Sequence, residues 1–160
     1  MATSVYIETS IISYLTARPS RDLVVAARQT ITADWWARRR PNYEAYISAL
    51  VEDEISAGDA TAARQRLQAV VGIASVAVTQ LAQELADRLI KEKAVPANSV
   101  EDALHIAIAA TQGAEYLLTW NFKHINNAET KAFITSVIEA AGYVCPVLCS
   151  PEELGGFDHE

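Results

Sequence analysis

The chain has 160 residues, of which 51% are apolar, and it carries a net charge of −7. A chain of this length can fill one sizeable core, so we expect a single domain over residues 1–160. The charge argues against a protein that coats nucleic acid by bulk attraction. It does not exclude a nuclease, because carboxylates can hold divalent cations that bring a phosphate in. The alternative explanation of the net negative charge is that it only keeps a small domain soluble.

The sequence contains no apolar run long enough to span a bilayer and no apolar core of a secretory signal. We therefore expect a cytoplasmic protein without a membrane partner. Cys145 and Cys149 lie in an apolar stretch without nearby histidines, which does not make a zinc site. We expect both thiols to be buried and reduced.

The stretch VYIETS, residues 5–10, is predicted to be a β-strand that ends in a charge. Its first three residues have strong β preference, and Thr9 and Ser10 can cap a following helix. In a parallel sheet the ligand crevice opens where the strands end, so Glu8 lies at a natural site. The alternative is that Glu8 only complements the dipole of the next helix.

Two helices follow, one over residues 11–15 and one that begins at Ser20 or Asp22 and ends before Pro41. The second helix ends in two tryptophans, Trp35 and Trp36, and an arginine run at 38–40. Aromatic rings beside arginines can stack bases and bind phosphates. A core anchor next to a solvated helix end is the commoner reason for such a pattern.

A strand over residues 43–47 leads into a helix over 48–57, which Gly58 ends. Of the three consecutive acids at 52–54, only Glu54 falls within the apolar stripe of this helix. A carboxylate on a buried face is costly unless something cationic pairs with it, so Glu54 is predicted to belong to a site. The stripe is formed by Ile47, Leu50, Val51 and Ile55.

Residues 60–71 and 79–93 predict two amphipathic helices of structural role, with a short strand over 73–78 between them. The helix over 100–112 is apolar nearly all round and is expected to be buried. Asp102 lies in its first turn, where an acid can simply complement the helix N-terminus. For His105 two interpretations are open: contact with a metal or a phosphate, or hydrogen bonding within the helix packing.

A buried strand over residues 116–119 is followed by three polar residues, Asn121, Lys123 and His124. If this strand is a parallel neighbour of the first one, Asn121 reaches the same sheet edge as Glu8. The last predicted elements are a helix over 128–141 and a strand over 144–149. Pro146 within that strand fits an edge position.

Four segments spread over most of the chain carry a family resemblance: VYIETSIISYL at 5–15, ISALVEDEISAGD at 47–59, DALHIAIAA at 102–110 and YLLTWNFKHI at 116–125. With these segments in this order, the sequence resembles the PIN-domain family, and within it the VapC-type toxins of bacterial toxin–antitoxin pairs. Strands that alternate with helices agree with this resemblance. Together they predict an α/β protein with a three-layer α/β/α PIN-like fold and a small, mainly parallel central sheet.

The resemblance implies an endoribonuclease that hydrolyses RNA phosphodiester bonds with Mg²⁺ or Mn²⁺. Matched residue by residue, the family's acids fall on Glu8, Glu54 and Asp102, which would bind the metal, and its fourth catalytic position falls on Asn121. The resemblance also implies a cognate antitoxin, and we expect a homodimer. The side chains expected to contact the substrate are Thr9, Ser10, His105, Lys123 and His124.

Two positions depart from the family pattern. Glu8 stands where the family commonly has aspartate, which supplies a carboxylate on a longer arm. Asn121 stands where the family often has an acid, so the site has three carboxylates rather than four. The sequence therefore leaves open whether one metal ion or two would bind.

Two other classes of function compete with the nuclease. The first is a domain of the same fold that acts only as a protein-interaction module because Asn121 weakens its metal site. The second is an acyl or phosphoryl enzyme with Ser10 or a cysteine as nucleophile, but neither has a base beside it and no glycine-rich phosphate loop occurs. Metal-stimulated RNA cleavage that a chelator stops favours the nuclease, whereas metal-independent partner binding without cleavage favours the module.

Overall fold

Five short β-strands pair side by side in the computed structural model, which describes residues 2–155. In chain order they are β1 at Ser4–Ile7, β2 at Glu44–Ser48, β3 at Ala74–Val76, β4 at Tyr116–Leu118 and β5 at Val147–Cys149. Their order across the sheet is β3-β2-β1-β4-β5, and every neighbouring pair is parallel. The predicted small parallel sheet is confirmed.

Helices cover both faces of this sheet. They are α1 at Thr9–Thr16, α2 at Leu23–Arg38, α3 at Ala49–Ile55, α4 at Ala60–Ala69, α5 at Gln80–Lys91, α6 at Val100–Thr111 and α7 at Lys131–Ala140. The first four pack among themselves, while α5 packs against α6 and α7. Right-handed crossovers that run in opposite directions across the sheet, from β1 to β3 and from β3 to β5, place their helices on opposite faces. The α/β/α layering therefore follows from the strand order, as predicted.

The chain reverses its direction across the sheet between β1 and β4. From β1 it runs outward through β2 to β3, and it then crosses back to β4 and β5. Ile7 and Leu118 are register partners, and the backbone N–H of Glu8 donates to the carbonyl of Leu118 at 3.1 Å. In open parallel sheets a ligand crevice forms outside the carboxyl ends of the strands at such a switch point. The predicted neighbourhood of β1 and β4 is confirmed.

The helix that carries Glu54 is shorter than predicted. It begins at Ala49 because Ser48, at the end of β2, caps it and accepts the N–H of Val51 at 3.3 Å. Ile47 therefore belongs to the sheet and not to the helical stripe. The stripe of α3 still buries Val51 and Ile55, so the direction assigned to Glu54 does not depend on Ile47.

The ends of the last two elements also differ from the prediction. Helix α7 begins at Lys131 rather than at residue 128, because a turn held by the side chain of Asn127 precedes it. Strand β5 covers three residues at the edge of the sheet, and Pro146 directly precedes it. A proline cannot donate a ladder hydrogen bond, which explains the late start of the strand.

Trp35 is a core residue, 2% exposed, and it stacks on Tyr43 with ring centroids 5.8 Å apart. Trp36 lies against the guanidinium of Arg40 at 4.7 Å. The core-anchor interpretation therefore holds for Trp35.

Cys145 and Cys149 are unpaired thiols. Cys149 is buried as expected, whereas Cys145 is only partly buried, so the expectation of burial was wrong for Cys145. Within residues 2–155, no helix is both long enough and apolar enough to cross a membrane.

Candidate active site

Glu8 joins the ends of β1 and β4. Its Oε1 accepts the hydroxyls of Ser10 at 2.5 Å and Thr119 at 2.6 Å. Ser10 in turn accepts the backbone N–H of Trp120 at 2.9 Å. Although Glu8 is at the N-cap position of α1, its side chain makes no capping hydrogen bond. Hydrogen bonds across the two strand ends, and not a cap, therefore orient this buried carboxylate.

Glu54 has two partners from other elements. Thr9, at the start of α1, donates to its Oε1 at 2.5 Å, and the same oxygen lies 2.6 Å from Nε2 of His105. Burial raises the pKa of Glu54, but the hydrogen bond and charge of His105 and the hydrogen bond of Thr9 outweigh burial and hold that pKa below its usual value. The side chain is 30% exposed, so this ionised carboxylate also faces outward.

Behind Glu54 a chain of hydrogen bonds runs into the core. His105 is 1% exposed, and its Nδ1 lies 2.8 Å from the hydroxyl of Tyr6. That hydroxyl lies 2.8 Å from Oγ of Ser48, which accepts the N–H of Val51. Burial raises the pKa of Tyr6 far above its usual value, so the phenol keeps its proton. Each of these buried polar groups therefore has a hydrogen-bond partner within the protein.

Asp102 is held by two side chains from the loop after β4. The amide Nδ2 of Asn121 donates to Oδ1 of Asp102 at 3.0 Å, and Nδ1 of His124 lies 2.9 Å from Oδ2. The Oδ1 of Asn121 accepts the backbone N–H groups of Lys123 at 3.1 Å and His124 at 2.9 Å. Since backbone N–H groups need an acceptor, the orientation of this amide is fixed. Asn121 therefore presents a donor to Asp102.

The four predicted catalytic residues meet at the carboxyl edge of the sheet. Glu8 directly follows β1, and Asn121 lies three residues beyond the end of β4. Asp102 contacts Asn121, and Glu54 contacts Thr9, the neighbour of Glu8 in sequence. Residues that are far apart in the sequence thus lie at one edge of the sheet, and we call these four residues the strand-end site.

The side chains predicted to contact substrate lie in different environments. Thr9 and Ser10 donate their hydroxyl protons to the carboxylates of the site, and His124 contacts Asp102. Lys123 is exposed. His105 is buried and both of its ring nitrogens have protein partners, so direct contact with substrate does not fit its position. Its Nε2 contacts Glu54 instead.

The sequence analysis did not single out Thr119, Tyr6 or Ser48, which the structure places among the site's hydrogen bonds. Thr119 was assigned to the end of a buried strand, and Tyr6 to the middle of one. A hydroxyl at the end of the strand beside the Glu8 strand is a usable signal for Thr119. The bond between Tyr6 and His105 spans 99 residues, and no local pattern marks it.

The donor chemistry of the strand-end site fits a hard divalent cation. Carboxylate oxygens are the ligands that Mg²⁺ and Mn²⁺ prefer, and no residue in 2–155 donates to Oε2 of Glu8 or of Glu54. The three predicted ligands are not drawn into one cluster, however. Among the residues described, no group of three or more His, Cys, Asp or Glu side chains is arranged to hold a metal ion.

Three solved structures of bacterial toxins and toxin–antitoxin complexes are similar in fold to this chain. VapC20 of Mycobacterium tuberculosis, a toxin that cleaves the sarcin-ricin loop, is 19% identical, with a TM-score of 0.55 over 88% of this chain and 96% of its own. VapBC2 of Rickettsia felis, bound to a DNA fragment from its promoter, is 14% identical, with a TM-score of 0.53 over 92% of this chain and 98% of its own.

A toxin–antitoxin complex from Klebsiella pneumoniae is 19% identical, with a TM-score of 0.56 over 78% of this chain and 92% of its own. This chain has the PIN-like fold of the VapC toxins. No protein-family model matches the sequence, and no curated protein sequence matches it.

Proposed function

We propose that this chain is a divalent-metal-dependent endoribonuclease and the toxin of a toxin–antitoxin pair. The observation that supports the proposal is the position of Glu8, Glu54 and Asp102 at one edge of the sheet, around the switch point between β1 and β4. Carboxylates at this point of a parallel sheet suit the binding of a hard cation and a phosphodiester. The PIN-like fold is shared with a toxin that cleaves the sarcin-ricin loop, which supports the same class of activity.

Glu8 and Glu54 would hold the cation through their Oε2 atoms, together with Asp102. When bound, a divalent cation supplies charge neutralisation at the phosphodiester and lowers the pKa of a water molecule. The protein's own hydrogen bonds prepare these carboxylates. Ser10 and Thr119 orient Glu8, and the lowered pKa of Glu54 keeps that group ionised and ready to bind.

Asn121 suits this site to one cation rather than two. Its Nδ2 donates to Asp102 where an acid would add a fourth carboxylate. A fourth carboxylate would repel Asp102 unless a second cation lay between them. Because Asn121 donates a hydrogen bond to Asp102, no second cation is needed between them. The three carboxylates would then bind a single cation.

The decisive experiment compares three neighbouring acids of α3. Glu54→Gln should abolish metal-dependent cleavage of RNA, because the variant loses a charged ligand at the site. Glu52→Gln and Asp53→Asn are matched controls on the exposed side of the same helix, and both should retain cleavage. Each control should change the free energy of unfolding by no more than about 0.5 kcal/mol.

The assay uses purified protein with structured and unstructured RNA, in Mg²⁺, in Mn²⁺ and in a chelator. Glu54→Gln should stay folded, which the circular dichroism spectrum measures. If Glu54→Gln cuts RNA as well as the parent, or if Glu52→Gln is the inactive variant, the site has been built around the wrong acid. Tight metal-independent binding of a protein partner, without any cleavage, would favour the interaction module instead.

The antitoxin, the cytoplasmic location and the homodimer stay predictions. A free nuclease damages the RNA of its own cell, so expression of the chain alone should stop growth and expression of an adjacent gene should relieve it. Expression of Glu54→Gln should leave growth unchanged. A parent protein that is abundant, active in vitro and harmless would contradict the toxin role.

A further inference from the structure

An arginine and two aromatic rings form a cluster beside the strand-end site. The guanidinium of Arg28, on α2, lies 5.4 Å from the ring centroid of Trp120 and 5.0 Å from that of Phe122. The two rings meet edge to face, with centroids 5.9 Å apart. We call these three residues the Arg28 platform. Both distances lie within the range of a cation–π interaction.

The platform adjoins the carboxylates through the backbone. Trp120 donates its N–H to Ser10, whose hydroxyl donates to Glu8. Phe122 is the residue directly after Asn121, whose amide holds Asp102. A strand of RNA whose phosphate lies at the carboxylates would therefore have its next nucleotide near the platform.

One ring of the platform is fixed and the other is open. Trp120 is 5% exposed, and its indole N–H donates to the buried hydroxyl of Thr32 at 2.7 Å. Phe122 is 36% exposed and presents its ring at the surface. A rigid aromatic base beneath an exposed ring is a suitable support for stacking, because little side-chain entropy is lost when a ligand binds.

The charge of Arg28 is available to an external anion. Arg28 is half-buried, and within residues 2–155 no carboxylate forms a salt bridge with it. Its planar guanidinium suits both stacking on a ring and bidentate hydrogen bonding to a phosphate. An exposed aromatic ring and an arginine without a carboxylate partner are the two groups that single-stranded nucleic acid binds.

We propose that the Arg28 platform binds single-stranded RNA next to the scissile phosphate, with a base stacked on Phe122 and the adjoining phosphate paired with Arg28. The platform rests on the proposed ribonuclease function and names where the substrate lies. Stacking is tolerant of base identity, so the platform supplies affinity and position rather than sequence recognition.

The test is the affinity for a short fluorescein-labelled single-stranded RNA, measured by anisotropy in the Glu54→Gln background with Mg²⁺. Phe122→Leu and Arg28→Gln should each weaken binding about fivefold or more, the effect of losing one stacked base or one charged phosphate contact. Phe122→Trp should retain the affinity, because it keeps a stacking surface. A purely structural role for Phe122 would not be rescued in this way.

Two matched controls lie elsewhere on the surface. Phe133 is 45% exposed on α7, and Arg21 is exposed just before α2. Phe133→Leu and Arg21→Gln should leave RNA affinity unchanged. Circular dichroism spectra will verify that each variant is folded, and Arg28→Lys, which keeps the charge, should lose less affinity than Arg28→Gln.

Unchanged RNA affinity in both Phe122→Leu and Arg28→Gln would overturn the platform, whether or not the same changes weaken binding of a protein partner. Cleavage by the parent protein is scored separately. RNA binding that depends on the platform without any cleavage would reject the nuclease and keep the platform. Cleavage by the parent with unchanged binding in the variants would reject the platform and keep the nuclease.

Discussion

The hydroxyl of Tyr6 connects the interior of the sheet, through His105, to Glu54, a predicted catalytic residue. It lies in the middle of β1, fully buried, and connects Ser48 on one side with His105 on the other. His105 in turn lies 2.6 Å from Glu54. A residue in the core thereby fixes the orientation of the histidine that contacts Glu54. Hydrogen bonds thus link the buried Tyr6 to the position of the Glu54 carboxylate.

Tyr6→Phe tests this coupling, and Tyr46→Phe is its matched control on the neighbouring strand. Tyr6→Phe leaves His105 and Ser48 each short of a buried partner, which should cost about 1–3 kcal/mol of unfolding free energy and lower the cleavage rate. The buried hydroxyl of Tyr46 has no hydrogen-bond partner among the residues described. Its removal should be neutral or stabilising.

Urea unfolding and initial cleavage rates of the two variants measure both effects. Equal free energies of unfolding for Tyr6→Phe and Tyr46→Phe would show that the chain of hydrogen bonds contributes nothing to stability. A Tyr6→Phe protein that is destabilised but cleaves RNA at the parent rate would separate the interior hydrogen bonds from the function of Glu54.

At the scale of helices and strands, the sequence pattern predicted the position of each site residue on its own helix or at the end of its own strand. Runs of β-branched and aromatic residues marked β1 and β4, and the residues after them lie at one edge because the strands are parallel neighbours. The helical period likewise separated Glu54 from its exposed neighbours Glu52 and Asp53. These are local properties of the chain.

The partners of those side chains could not be predicted in the same way. The pairing of Glu54 with His105 joins α3 to α6, and that of Arg28 with Phe122 joins α2 to the loop after β4. Such contacts depend on how whole elements pack against each other. The hydrophobic periodicity of a single helix or strand does not predict this packing. For Trp35 the sequence left nucleic-acid binding and a core anchor open and favoured the core anchor, and packing made Trp35 a core residue.

The turn after β5 provides a test of how one acid anchors an element. Oε1 of Glu153 accepts the N–H and hydroxyl of Ser150 at 2.9 and 3.1 Å and the amide of Asn126 at 3.0 Å. Burial raises the pKa of Glu153, but these hydrogen bonds and the charge of Lys131 outweigh burial and hold the pKa below its ordinary value of 4.5. The carboxylate ties the end of β5 to the loop before α7.

Glu153→Gln should lower the free energy of unfolding at neutral pH by about 1 kcal/mol, because a charged acceptor of three hydrogen bonds is lost. A lowered folded pKa gives stability above the unfolded value of 4.5, and this stability is lost as the pH falls through the folded pKa. The difference between parent and Glu153→Gln should therefore shrink below pH 4.5. Thermal unfolding from neutral pH to acid measures it.

Glu152→Gln is the control for this measurement, because Glu152 is the exposed neighbour of Glu153 in sequence. Its difference from the parent should be small at every pH. If the stability difference between parent and Glu153→Gln stays constant or grows on acidification, the anchor does not act through the charge of Glu153.

The charge of the whole molecule limits how it can hold RNA. A net charge of −7 opposes the approach of a polyanion, so attraction must come from a few cations placed at the site. Among the cations of the described residues, we place two beside the strand-end site, Arg28 and Lys123. Arg28 contacts Phe122 in the platform, and Lys123 is exposed and lies two residues after Asn121 in sequence. The molecule is thus expected to hold RNA by local contacts and by a bound divalent ion.

This expectation sets the salt dependence of RNA binding. Each phosphate contact to single-stranded nucleic acid contributes about −0.7 to the slope of log affinity against log salt, so two contacts give about −1.4. The measurement uses Glu54→Gln and labelled single-stranded RNA in a chelator, with KCl as the only varied salt. Adding Arg28→Gln should reduce the magnitude of the slope by about 0.7, and Lys123→Gln should do the same. A control change at Arg21 should leave the slope unaltered. A slope steeper than about −3, or one that neither substitution changes, would mean that RNA lies along a wider cationic surface and not beside the three carboxylates.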